Sequence, residues 1–93
     1  MLECSVIILN WNGEAMLRRY LPSVIQYTQL EGVEIVVADN GSTDASLEFL
    51  HSQPVRIIEL GENLGFAEGY NRAIEQVESK YVVLLNSDVE VTS

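Results

Sequence analysis

Four short runs of mostly apolar, β-branched residues constrain this chain more than any other feature: Cys4 to Leu9, Val33 to Ala38, Val55 to Leu60 and Tyr81 to Leu85. Each is the length of a strand, and none alternates strictly between apolar and polar residues. That pattern predicts strands buried on both faces, as in a parallel sheet. Between the runs the spacing turns helical. Met16, Leu17, Tyr20, Leu21, Val24 and Ile25 share one helix face, and Phe66, Tyr70, Ala73, Ile74 and Val77 share another. Leu47, Phe49 and Leu50 mark a shorter helix that Ser42 or Thr43 is placed to cap. Pro22 is expected to kink or restart the first helix, because proline disfavours helical geometry at Leu21 before it. The order is β-α-β-α-β-α-β with short connections. Right-handed crossovers make this an open, doubly wound, mostly parallel α/β sheet.

At 93 residues the chain has room for one domain, 1–93, burying roughly two-thirds of the surface that its unfolded form exposes. Its 47% apolar content excludes a disordered chain. Fourteen acids against five bases give a net charge of −9, which argues against a nucleic-acid partner held by bulk charge. A single nucleotide bound through a metal ion remains open, since carboxylates recruit the cation and the cation binds phosphate. The lone Cys4 excludes an internal disulfide and any zinc site built on several thiolates. No apolar run approaches the ~20 residues of a membrane span, and the Met-Leu-Glu-Cys start lacks the basic residues of a signal peptide. The expectation is a soluble, cytoplasmic, acidic domain.

The topology localises a site before any motif is read. In open α/β sheets ligands bind beyond the carboxyl ends of the strands, near a switch in strand order. Those ends carry Asn10-Trp11-Asn12-Gly13, Asp39-Asn40-Gly41-Ser42-Thr43-Asp44, Gly61-Glu62-Asn63-Leu64-Gly65 and Asn86-Ser87-Asp88. The opposite rim carries Gln29 to Gly32 and Ser52 to Pro54. A dinucleotide-binding fold needs G-x-G-x-x-G after the first strand, whereas this loop offers only Gly13 and puts Trp11 where close approach is required. A P-loop needs G-K-[ST], and the only lysine is Lys80, entering a strand. The only histidine, His51, ends the second helix away from the loop edge, which removes serine- or cysteine-hydrolase chemistry. Cys4 reads as a small apolar residue rather than a nucleophile.

What remains is carboxylates with a phosphate-sized, metal-dependent ligand. Asp88 follows an apolar strand, with Asn86 two residues before it and Glu90 two after. In an extended segment period two points all three to one side. Such oxygen donors suit Mg²⁺ or Mn²⁺. Asp39 could accept a hydrogen bond from a base imide or a ribose hydroxyl, although Asp39 and Asp44 are equally well explained singly as turn or helix-cap residues.

Read in order, Ser5 to Gly13, Val36 to Asp44, Glu62 to Asn71 and Leu84 to Asp88 resemble the successive donor-site blocks of family 2 glycosyltransferases. The D-N-G-S-T-D and N-L-G-F blocks are most like the family's rhamnosyltransferase-type branch. The resemblance runs from about Cys4 to the C-terminus and implies the N-terminal, nucleotide-binding half of a GT-A fold. It also implies a nucleotide-diphosphate sugar as donor, and a carbohydrate or lipid-linked acceptor for the full-length enzyme. Carried over by position, Asn10, Trp11 and Asn12 would border the base and ribose, and Asp39 would hydrogen-bond the base. Ser42 and Asp44 would shape that loop, and Gly65 and Asn71 would lie along the nucleoside side of the cleft. Asp88 matches the metal-binding carboxylate of the D-x-D motif. Asn86 stands at the first D-x-D position, where an amide still accepts a hydrogen bond but lacks the charge.

Family members continue beyond that motif with acceptor-binding strands and a catalytic carboxylate, whereas this chain stops five residues after Asp88. The expectation is therefore a truncated, donor-binding domain, inactive alone, with no catalytic base assigned. The full-length enzyme could act at the cytoplasmic membrane face. A fourth strand deprived of later neighbours is an apolar edge, which predicts a homo-oligomer through that edge. The rival readings are a non-catalytic nucleotide-binding or interaction module and a Mg-dependent nucleotidyltransferase. Against the latter, Asn10 to Gly13 carries no basic residue.

Overall fold

In a computed structural model, residues 2–86 are described, Asn86 by its backbone alone. The elements are β1 (Leu2–Asn10), α1 (Glu14–Tyr27), β2 (Val33–Asp39), α2 (Ser46–His51), β3 (Arg56–Glu59), α3 (Phe66–Ile74) and β4 (Ser79–Asn86). The four apolar runs are the four strands, all pairing in parallel in the order β3-β2-β1-β4. The chain steps outward from β1 to β3, then returns to place β4 on the other side of β1. That reversal is the switch point, and right-handed crossovers accordingly send α3 to the opposite face from α1 and α2.

Register and period two then build two cores. Ile8 pairs with Val37 and Leu85 and faces α1 and α2, where Leu17, Leu21, Val24, Phe49 and Leu50 close over it. One residue earlier Ile7 pairs with Val36 and Leu84 and faces α3, meeting Ala38, Ile58, Tyr70 and Ala73. Both faces of β1 and β2 are thus covered, which is why their runs are continuously apolar. Each fully buried Ile, Leu or Val contributes about 1.5–3 kcal/mol by leaving water.

Three local expectations are corrected. Helix α1 runs through Pro22 as one element rather than restarting there. Leu21 and Val24, buried on its inner side, hold it against the roughly 3 kcal/mol that an interior proline costs through its lost N–H and ring clash. Ser42 and Thr43 do not cap α2, which begins only at Ser46; the Asp44 carboxylate accepts the Ser46 N–H instead, at 2.9 Å. The fourth run is not buried on both faces. Its Tyr81, Val82, Val83 and Leu84 are exposed, Leu84 by 47%, because α3 packs over β1 and β2 and leaves the edge strand β4 largely uncovered. Cys4, paired with Tyr81 on that strand, is half-buried.

Candidate functional site

The carboxyl ends of β1 and β2 lie side by side, with Asn10 paired to Asp39. Both are buried, Asp39 to 2% exposure, because they are the last rung of two covered strands. Two buried polar side chains must satisfy each other or the neighbouring loops. The Asn10 Nδ2 donates to Asp39 Oδ1 at 3.1 Å and to Ser42 Oγ at 3.2 Å, while Asp39 Oδ2 accepts the Ser42 N–H at 2.9 Å. Among the described residues Asn10 Oδ1, though buried, has no hydrogen-bond partner.

The β1–α1 loop is laced to the β2–α2 loop by the same residue types. Asn12, with φ of 50°, turns its side chain toward that loop, and its Oδ1 accepts the Thr43 N–H at 2.6 Å and the Asp44 N–H at 3.2 Å. Its own N–H donates to Ser42 Oγ at 2.8 Å. Asp44 serves two helices at once, accepting the Glu14 N–H that opens α1 at 3.2 Å as well as the Ser46 N–H of α2. Glu14 returns the contact through Oε1, which accepts the Ala45 N–H at 3.3 Å. Burial pushes the Asp44 carboxyl up, and the hydrogen bonds from Ser46 and from the Glu14 N–H more than offset it. The group is held below its ordinary 3.8.

A third loop joins through Asn40, which is 3% exposed. Its N–H donates to the Asn10 carbonyl at 2.7 Å. Its Nδ2 donates to the Gly65 carbonyl at 3.1 Å and to Asn63 Oδ1 at 3.3 Å, and its Oδ1 accepts the Leu64 N–H at 2.9 Å. Beside it Gly41 has φ of 81°, and a Cβ there would stand 2.6 Å from the Glu62 backbone. Only glycine fits where the two loops touch.

The structure therefore gathers Asn10, Asn12, Asp39, Ser42 and Asp44 into one hydrogen-bonded rim and ties Gly65 to it through Asn40. Trp11, 53% exposed, stands on the same rim without being packed into it. Asn71 is exposed partway along α3 and is not drawn into the network by any described side-chain bond. Asn86 ends β4 beside Leu9, and Asp88 and Glu90 lie outside the described residues. The sequence places Asn40 and Asn63 in two of the edge loops and assigns neither a role. The one available signal was Asn40's place directly after a buried strand and before an obligate glycine.

The opposite rim carries a shallow hollow of about 520 Å³ lined by Leu2, Glu34, Arg56, Gln76 and Glu78. Glu34 there accepts the Ser5 hydroxyl at 2.7 Å and pairs with Arg56 at 3.5 Å. These charges are already mutually satisfied, and the hollow lies at the amino ends of the strands, away from the switch-point crevice.

Comparison with known proteins decides the family. Residues 5–93 match Glycosyl transferase family 2. The chain belongs to that family. The chain is similar to the uncharacterized glycosyltransferase YfnE of Bacillus subtilis (strain 168), 34% identical over 92 residues that cover 95% of this chain and 24% of that protein. The teichoic acid poly(glycerol phosphate) polymerase of Staphylococcus epidermidis is 29% identical over 98% of this chain and 13% of its own length. Among solved structures, S. aureus TarS 1-349 in complex with UDP-GlcNAc superimposes with a TM-score of 0.82 at 27% identity, covering 94% of this chain and 27% of that one. The mannosyltransferase PcManGT from Pyrobaculum calidifontis, in complex with GDP-Man and Mn²⁺, shares the fold (TM-score 0.85, 21% identity, 98% of this chain and 29% of that one). The family 2 chain thus has the GT-A-like glycosyltransferase domain fold, and it spans between 10% and 35% of the curated relatives it matches. Among its described residues no helix is long and apolar enough to cross a membrane.

Proposed function

We propose that this chain is the donor-binding part of a glycosyltransferase that moves a sugar from a nucleotide-diphosphate sugar to an acceptor hydroxyl. The observation that carries the reading is the convergence of Asn10, Asn12, Asp39, Ser42 and Asp44 on one rim at the carboxyl edge, beside the β1–β4 switch point. Membership of family 2 and the likeness to a protein solved with UDP-GlcNAc support it. Asp39 offers an acceptor for the base, with its carboxylate aimed by Asn10 and Ser42. Trp11 offers an exposed aromatic face, and Asn12 and Gly65 border the nucleoside. Asn71 and Asn86 belong to the reading by position in the family motifs. The rim thus binds and orients the donor; the acceptor, its base and the sugar are left unassigned. The rhamnosyltransferase-type branch and a cytoplasmic setting are part of the same reading, as is a single donor-binding domain over 1–93.

Metal assistance by Mg²⁺ or Mn²⁺ rests on Asp88. Among the described residues no group of three or more His, Cys, Asp or Glu gathers to hold a cation. The rim described above therefore does not make a metal centre by itself, and no step is derived through one. A divalent ion held at Asp88 would supply charge neutralisation for a diphosphate. Calorimetric titration of nucleoside diphosphates with and without Mn²⁺ tests the reading. Binding that requires Mn²⁺ and is lost in Asp88→Ala is expected. Metal-independent binding that survives Asp88→Ala would favour a non-catalytic nucleotide-binding module.

A further inference from the structure

We infer that Asn40 is the positioning residue of this site: its carboxamide locks the β3–α3 loop, and with it the start of α3, onto the end of β2, so that the rim around Asp39 keeps a fixed shape for its ligand. The inference rests on the donor-site reading above, but its structural half stands on geometry alone. Asn40 is almost wholly buried, and it bridges three segments that are distant in sequence. Its backbone N–H holds the Asn10 carbonyl, its Nδ2 holds the Gly65 carbonyl and Asn63 Oδ1, and its Oδ1 takes the Leu64 N–H. Asn63 completes the lock, because the same Oδ1 also accepts the Gly65 N–H at 2.9 Å.

The residue type follows from the count of donors and acceptors. Position 40 must donate to two oxygens and accept from one N–H, and only an uncharged carboxamide does both in so small a volume. An acid there would press a charged oxygen against the Gly65 carbonyl and Asn63 Oδ1 without water to screen it. Neither Asn40 nor Asn63 needs to touch the nucleotide. Their effect reaches it through the neighbouring Asp39 and through the loop that begins α3.

Because a change at buried position 40 can unfold the domain, the decisive variants are made at the exposed Asn63. Asn63→Ala removes the acceptor shared by Asn40 and Gly65, whereas Asn63→Asp retains it. Amide hydrogen exchange by NMR should show Gly65, whose N–H loses its acceptor, exchanging ~tenfold faster in Asn63→Ala, the loss of roughly one hydrogen bond, with Leu64, held by Asn40 Oδ1, following as the lock loosens. The urea midpoint should be nearly unchanged. UDP, GDP and dTDP are the probes, titrated with Mn²⁺. Whichever binds the wild type should bind Asn63→Ala several-fold more weakly, and Asn63→Asp should restore both readouts. Unchanged exchange at Gly65, unchanged nucleotide affinity, or an Asn63→Asp variant as impaired as Asn63→Ala would each overturn the inference. If no probe binds the wild type, the donor-site reading fails and the ligand half of the inference fails with it, while the exchange data still decide whether the lock exists.

Discussion

Replacing Gly41 by alanine tests the contact on which the rim depends. The added Cβ would lie 2.6 Å from the carbonyl carbon and Cα of Glu62 and 2.8 Å from the Asn63 nitrogen. Ordinary carbon contacts sit at about 3.5–4.0 Å, so one loop must retreat by about 1 Å. Overpacking of that kind costs about 1–3 kcal/mol. The left-handed φ of 81° adds about 1 kcal/mol for any residue with a Cβ. The sum, about 2–4 kcal/mol, is a large part of the 5–15 kcal/mol that a small domain holds. At about 4–8 °C per kcal/mol for a chain of this size, Tm should fall by about 8–32 °C. Gly61 supplies the control. Its φ is 86°, and a Cβ there would meet nothing within 4 Å. Gly61→Ala should therefore lose only the backbone part, about 1 kcal/mol. Thermal unfolding of both variants by circular dichroism, at one low protein concentration, isolates the contact as their difference. Equal melting of the two variants would mean that the β2–α2 and β3–α3 loops do not touch as described, and the account of the rim would fail with it.

Further outcomes follow from other parts of the molecule. Leu50 is fully buried between α2 and the sheet, so Leu50→Ala should cost about 2–5 kcal/mol in urea unfolding, and a loss under 1 kcal/mol would contradict the packing. The Asp44 carboxyl has a folded pKa below its ordinary 3.8. Its contribution to stability is therefore complete above the unfolded value and lost as pH falls through the folded one. The urea-midpoint gap between wild type and Asp44→Asn should hold at neutral pH and close below about pH 4; a gap unchanged at the acid end would refute the capping role. The exposed apolar edge strand β4 should drive self-association, as light scattering across a concentration series would show. Val83→Lys should suppress it at little cost in stability, since Val83 is already exposed. A wild type that stays monomeric throughout would contradict that reading.

How far the sequence disclosed this structure depended on what each residue's role rests on. The strands were legible because β1 and β2 are covered on both sides, and double burial demands a continuous apolar run. β4 carries the same kind of run yet lies exposed, since apolar sequence records which residues want cover and not whether the described residues supply it. The rim was legible as a location, because parallel topology sends every β–α loop to one edge. Its internal wiring was not. Asp44 reads singly as a turn or helix-cap residue, but not as one that serves two helices, one of them opening about thirty residues away in sequence. Asn40 carries no local signal of its role, because the Asn63, Leu64 and Gly65 groups that bond its carboxamide come from the β3–α3 loop and reach it only after folding. Ser42 reads as a helix cap from its spacing, but a tertiary partner, Asn12, claims its hydroxyl. In each case a contact distant in sequence outcompeted a local preference that was itself sound.

The central claim is that the carboxyl edge, and not the hollow on the opposite rim, receives a nucleotide. The direct measurement is amide chemical-shift mapping of the labelled chain titrated with UDP and, separately, GDP and dTDP, in the presence of Mg²⁺. The account predicts that at least one of them shifts amides concentrated in Asn10 to Gly13, Asp39 to Asp44 and Gly61 to Gly65. Shifts confined to the surroundings of Glu34, Arg56 and Glu78, or none with any of the three, would contradict it.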